Sequence, residues 1–241
     1  MTKKEEILPI GSTKTDLAVS ALKGLAGIIP GVGSIVGEIV GQVIPGQRMD
    51  RLELFAKSLH EQFKQIDETL NKKHFDKAEK IDLFEEGVIQ SARAISQDRI
   101  EYISKIVAFG LTGEAQERIQ AKRLLGILES LDDDQVIILS SYLHKNRDDQ
   151  AFRTTHADIL RPVPVHLRSD AVEVDKGTLH QLAQTQLRTL DLISYRYSKP
   201  AKGQLPEFDE KTGMMKAGST SLTPLGRLLL QRIGLAGTRD Y

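Results

Sequence analysis

Six histidines, at positions 60, 74, 144, 156, 166 and 180, are the residues best suited to metal or proton-transfer chemistry. None belongs to an HExxH, an HxH or an i,i+4 pair, the spacings that bring two imidazoles onto one ion. They are expected to serve as surface or packing side chains. Gly31 and Gly33 stand in a glycine-rich stretch without a following Lys-Ser or Lys-Thr, so no phosphate loop is formed there. The chain also lacks a GxSxG nucleophile elbow and any cysteine, which removes thiolate nucleophiles, disulfides and Cys-based metal sites. The three acids Asp132, Asp133 and Asp134 precede an apolar run, where carboxylates oppose the positive start of a helix. A cap explains them better than a metal does. The expectation is therefore a protein that is not an enzyme and carries no metal or cofactor.

The second chemistry is that of close contact. Gly33, Gly37 and Gly41 recur at four-residue steps, interleaved with Ile35, Ile39 and the single acid Glu38. On a helix they form one small-residue ridge, which lets another backbone approach and gain dispersion contacts, in lipid above all. Between Leu17 and Ile44 only Lys23 and Glu38 are charged, and Pro30-Gly31-Val32-Gly33 is turn punctuation. The run is expected to fold as two short helices, about 16–29 and 34–44, stopped by Pro45-Gly46. Arms of that length reach roughly 16 to 21 Å, short of the roughly 30 Å hydrocarbon core, so neither spans a bilayer alone. Two uses stay open: a hairpin buried or oligomerising in water, and a hairpin that enters a membrane surface. The acids beside the bases in Met1-Thr-Lys-Lys-Glu-Glu do not suit a secretory signal, so the segment reads as part of the mature protein.

The third chemistry is recognition. Gln184, Gln186, Arg188 and Thr189 lie together on a helical run, and Lys199, Lys202, Lys211 and Lys216 follow in a long polar excursion. Residues 178–241 hold nine Lys or Arg and five Asp or Glu, so this end is locally basic, while the whole chain is neutral with 33 of each sign. Gln184, Arg188, Lys199 and Lys202 are the candidate contacts to DNA or to a partner. Glu207, Asp209 and Glu210 in the same excursion would repel phosphate, which ranks DNA second to a protein partner.

These residues need elements to hold them. With 241 residues, 40% hydrophobic and 27% charged, the chain has the balance of a soluble globular protein of one or two domains. Aromatics are only 5%, so its core must be aliphatic. Leu52, Phe55, Leu59, Phe63, Ile66 and Leu70 recur every three or four residues and predict one long amphipathic helix. Ile81, Phe84, Val88, Ala92 and Ile95 predict a second, able to cover the first as an antiparallel partner. Ser96 is expected to cap a helix from Gln97 to Phe109, ended by Gly110 or Gly113, with further helices at about 114–130 and 132–144. Residues 146–177 read as a polar connection, followed by a helix at 179–192. The alternating strand Ile193-Ser-Tyr-Arg-Tyr-Ser198, the excursion 199–220 and a last helix begun by Thr223-Pro224 complete the C-terminal pattern. Helix, strand, wing, strand, helix is the order of the second half of a winged helix. The fold class is thus mainly α: an apolar helical hairpin (1–46), an antiparallel helical bundle (47–145), and a connecting region with a winged-helix-like α+β domain (146–241).

Ser221-Leu-Thr-Pro-Leu-Gly226 with Leu228-Leu-Leu230 resembles the end of bacterial Abi-alpha-type abortive-infection proteins, as does the layout of a glycine-rich apolar segment followed by helices. The resemblance covers about the last fifteen residues and that layout. It implies a phage-defence setting and supplies no catalytic residues. The expected function is a non-enzymatic antiphage protein of the cytoplasm that docks a protein partner and, through its glycine-rich hairpin, either self-assembles as a homo-oligomer or perturbs membranes, with membrane association on activation as the second location. A winged-helix DNA-binding regulator and a structural adaptor are the alternatives.

Overall fold

The computed structural model describes residues 20–25, 48–64, 78–161, 169–197, 200, 202–203, 205–208, 213 and 215–237. The chain is mainly helical with a small two-stranded antiparallel sheet, and it divides into two compact units, Met1–Ser130 and Leu131–Tyr241. Most of the expected apolar hairpin, including Gly33, Ile35, Gly37, Glu38, Ile39 and Gly41, lies outside the described residues. Its described portion, 20–25, is helical with Leu22 and Leu25 buried.

The first unit is built on helices α1 (Met49–Lys64), α2 (Ala78–Arg93), α3 (Gln97–Thr112) and α4 (Ala115–Glu129). The stripe on α1 is the reason it forms: Leu52, Phe55, Leu59 and Phe63 are all buried. Each contributes about 1.5–3 kcal/mol by leaving water. The expected cover was the next helix, and α2 does supply Phe84, whose ring centroid stands 6.1 Å from that of Phe55. The larger share of the packing on α1, however, comes from α3, which it also meets through Ser58 Oγ and Ser104 Oγ at 2.5 Å. Gly87 on α2 and Gly110 on α3 are places where an added Cβ would lie 2.6 Å from Val107 and 2.5 Å from both Ala121 and Leu83. Small residues at these crossings let the helix axes approach closely.

Ile95 was expected in the core stripe of the second helix and is instead 93% exposed. The helix ends at Arg93, and Ala94-Ile95 turns the chain toward Ser96. The cap itself stands as expected, with Ser96 Oγ accepting from Arg99 N at 3.1 Å; Gly113 ends α3, and Gly110 is interior to it. Long cations then satisfy the orphan carbonyls at helix ends. Arg51 donates to Ala92 O (3.0 Å), Lys80 to Leu111 O (2.6 Å), Arg99 to Leu128 O (2.7 Å) and Arg118 to Gly113 O (3.2 Å). Charge at a carbonyl terminus is doubly favourable, by hydrogen bond and by dipole.

The second unit opens with α5 (Asp133–Ser140), capped by Asp132, whose Oδ1 accepts from Gln135 N at 2.7 Å. The aspartate run is a cap, as its position implied. His144 was placed at the end of this helix, but α5 stops at Ser140 and His144 begins α6 (His144–Arg147). Short helices α7 (Gln150–Thr155) and α8 (Ala157–Leu160) follow. The long helix α9 spans Ala171–Thr189, eight residues earlier at its start than the aliphatic pattern indicated. Asp170 decides this by accepting from Glu173 N at 2.8 Å, a cap inside what read as connection. At the other end Asp191 takes a left-handed φ of 55°, and Leu192 N reaches back to Leu187 O at 2.9 Å, closing the helix. Strands β1 (Ile193–Tyr197) and β2 (Ala217–Leu222) pair antiparallel from Ile193↔Leu222 to Tyr197↔Ala217, with an irregularity between Arg196 and Tyr197.

Helix α10 (Pro224–Arg232) locks this arrangement from a single short motif. Thr223 Oγ1 accepts from Gly226 N at 3.0 Å, Thr223 N donates to Leu192 O at 3.1 Å, and Pro224 occupies the first turn where no N–H is needed. Leu229, Leu230 and Ile233 are buried, while Leu222, Leu225 and Leu228 are half-buried. Among the described residues no helix is long and apolar enough to cross a membrane.

Candidate functional site

Helix α9 and the excursion between the strands hold the described recognition candidates. Of the 19 residues of α9 only Leu187 is buried. Val172, Leu179 and Leu182 are 61%, 63% and 58% exposed, and steps of seven and three residues put them along one side of the helix. The polar candidates are engaged locally. Gln184 Nε2 lies 3.1 Å from His180 Nε2, Gln186 Oε1 accepts from Gln135 Nε2 at 3.0 Å, and Thr189 Oγ1 donates to Thr185 O at 2.9 Å. Arg188 keeps its side chain exposed but lies over the Tyr195 ring, 5.1 Å from its centroid, a cation–π contact.

In the excursion, Lys202 is exposed in a turn whose next residue, Gly203, has φ of 86°. Lys216 faces Glu207 at 3.5 Å, so its charge is partly answered within the chain. Phe208 bridges Met215, and Leu205 and Phe208 are 89% and 57% exposed. Lys199 and Lys211 lie outside the described residues. The structure thus brings Arg188 against the sheet, leaves Gln184 half-buried, and leaves Lys202 exposed in its turn.

The sequence reading missed the most concentrated charge in this unit. A cleft of about 510 Å³ is lined by Arg147, Arg153, Arg196 and Arg227, with His144, Tyr142 and the hydroxyls of Ser141, Ser219, Thr220 and Ser221. No spacing could have revealed it, because its arginines come from α6, α7, β1 and α10. One local sign existed: alternation in Tyr195-Arg196-Tyr197 puts Arg196 on the sheet face opposite its tyrosines. Tyr142 shares a side-chain hydrogen bond with Thr220, and burial, more than the neighbouring Tyr195, raises its phenol above the ordinary 10.0. It stays a neutral donor at physiological pH.

Partial burial, then the repulsion of Asp132 and Asp133, raises the Asp134 carboxyl above its ordinary value. Among the described residues no group of three or more His, Asp or Glu is arranged to hold a metal ion. Compared with protein-family models, curated proteins and solved structures, the chain matches none.

Proposed function

We propose that this chain is a non-enzymatic binding protein whose C-terminal unit works as a winged-helix-type docking module for a protein partner, and whose N-terminal unit carries the glycine-rich segment for self-association. The setting suggested by the C-terminal LTPLG segment is antiphage defence. One observation carries the docking reading. The helix that would enter a DNA groove presents Val172, Leu179 and Leu182 to solvent, while Gln184, Gln186 and Arg188 are engaged with His180, Gln135 and Tyr195. Base edges are read by polar donors and acceptors, whereas an exposed aliphatic row on a helix is the face that pairs with another protein.

The test expresses the chain in a phage-challenged bacterial host beside two variants, Leu179→Glu/Leu182→Glu and Gly37→Leu. Loss of protection in both, with purified proteins of unchanged helicity, is expected. Full protection by the first variant removes the docking surface, and full protection by the second removes self-association through the glycine ridge. Duplex DNA binding at low salt that weakens in Arg188→Ala would put the DNA-binding regulator in its place.

A further inference from the structure

Outside the docking helix, a cleft in the C-terminal unit gathers four arginines. Arg147, Arg153, Arg196 and Arg227 line one concavity of about 510 Å³, and among the described residues no Asp or Glu lines it. Asp148 and Asp149 follow Arg147 in sequence; neither lines the cleft, and Asp149 directs its carboxylate to the N–H groups of Ala151 and Phe152 at 2.9 and 3.1 Å. Among the described residues Arg147, Arg153 and Arg196 form no ion pair.

Two of these guanidinium groups are also held in place. Arg153 Nη1 donates to Arg147 O at 3.0 Å, and Arg196 Nε donates to Ser221 Oγ at 3.1 Å. The bond at Arg196 uses its Nε and leaves both Nη atoms, the end of the fork that pairs with a phosphate. Like charges converge here at a cost in mutual repulsion, which an anionic occupant would remove. The remaining lining is rich in hydroxyls, including that of Tyr142, which suits phosphoryl oxygens better than an apolar ring system.

We propose that this cleft binds a small polyphosphate of nucleotide size. A single orthophosphate would fill little of the space, whereas small-molecule sites run from about 300 to 1,000 Å³. An extended nucleic-acid backbone asks for cations strung along a face, since its charges repeat every few ångströms along the strand. Here they converge on one concavity from four elements.

The experiment is titration calorimetry on the full chain with ATP, pyrophosphate and adenosine, at low and at moderate salt, with duplex DNA as competitor. ATP and pyrophosphate are expected to bind and adenosine is not, with affinity falling at least about tenfold as salt is raised. Arg153→Gln and Arg196→Gln should each weaken pyrophosphate by roughly tenfold or more, while Lys57→Gln, exposed on α1 in the other unit, leaves it unchanged. Should a glutamine variant unfold, Arg153→Lys keeps the charge, removes the fork, and should still lose about threefold or more. Absence of pyrophosphate and ATP binding at millimolar concentration and low salt, or binding that survives both glutamine substitutions, overturns the proposal. Displacement of ATP by duplex DNA that depends on Arg153 would assign the cleft to a nucleic-acid backbone and overturn it equally.

Discussion

Replacing Gly226 with alanine tests the mechanical reading of the C-terminal motif. A Cβ at this position would lie 2.2 Å from Leu192 O and 3.0 Å from Leu192 C, against backbone that has no rotamer to adopt. Ordinary contact needs more than about 1 Å of retreat by the first turn of α10. That retreat lengthens the two bonds fixing it, Thr223 N to Leu192 O (3.1 Å) and Gly226 N to Thr223 Oγ1 (3.0 Å). Overpacking costs about 1–3 kcal/mol, and two weakened hydrogen bonds add up to about 1 kcal/mol each. Alanine's better helix propensity returns about 1 kcal/mol, which leaves a net loss of about 2–3 kcal/mol. Because four of the five tyrosines belong to residues 131–241, tyrosine fluorescence in a urea titration follows this unit. The midpoint should fall with m unchanged, and the thermal transition should drop by about 10 °C. Gly126→Ala, in α4 of the first unit, is the control and is followed by far-UV circular dichroism rather than tyrosine fluorescence; its Cβ would meet nothing within 4 Å, and a gain of about 0.5–1 kcal/mol is expected. If both substitutions shift stability by the same amount and sign, close approach to Leu192 is not what requires glycine in this motif.

Three further outcomes follow from the packing and the titrating groups. Lys80→Ala should cost about 1.5–3 kcal/mol in denaturant unfolding, because it strips a buried cation from the Leu111 carbonyl at the end of α3. Ile95→Asp should stay within about 0.5 kcal/mol of wild type while Leu59→Ala loses about 2–5 kcal/mol; a large effect at Ile95 would contradict its exposed placement. The raised Tyr142 phenol gives stability that is complete below the ordinary tyrosine value of 10.0 and is lost as pH rises through the folded value, because the unfolded chain ionises first. Tyr142→Phe should flatten that alkaline decline in unfolding measured from pH 8 upward, and an identical slope in the variant would refute the assignment.

Much of the local structure could be read directly, and the reason is range. Ser96, Asp132 and Thr223 each cap a helix by accepting from an N–H three residues ahead, so the whole interaction lies inside a few letters of sequence. Asp170 obeys the same rule but was hidden by the surrounding polar text, because an exposed helix offers little aliphatic periodicity to notice. The candidate site was less legible. Gln184 and Arg188 were found on their helix, yet their partners His180 and Tyr195 became known only once side-chain directions were fixed. The four arginines of the cleft were missed because no local pattern links them.

The amino-acid order alone settled the helix starts at Ser96, Asp132 and Thr223 and which face of α1 must be covered, since caps and periodicity depend on neighbours a turn or so away. Only the tertiary structure decided that α3 supplies most of that cover, that Ile95 faces water, and that Arg147, Arg153, Arg196 and Arg227 share one concavity. The close approach of α2, α3 and α4 at Gly87 and Gly110, and the seating of α10 by Gly226 against Leu192, are decided at the same level. Contacts of that kind join residues distant along the chain, and their geometry exists only after the elements have packed.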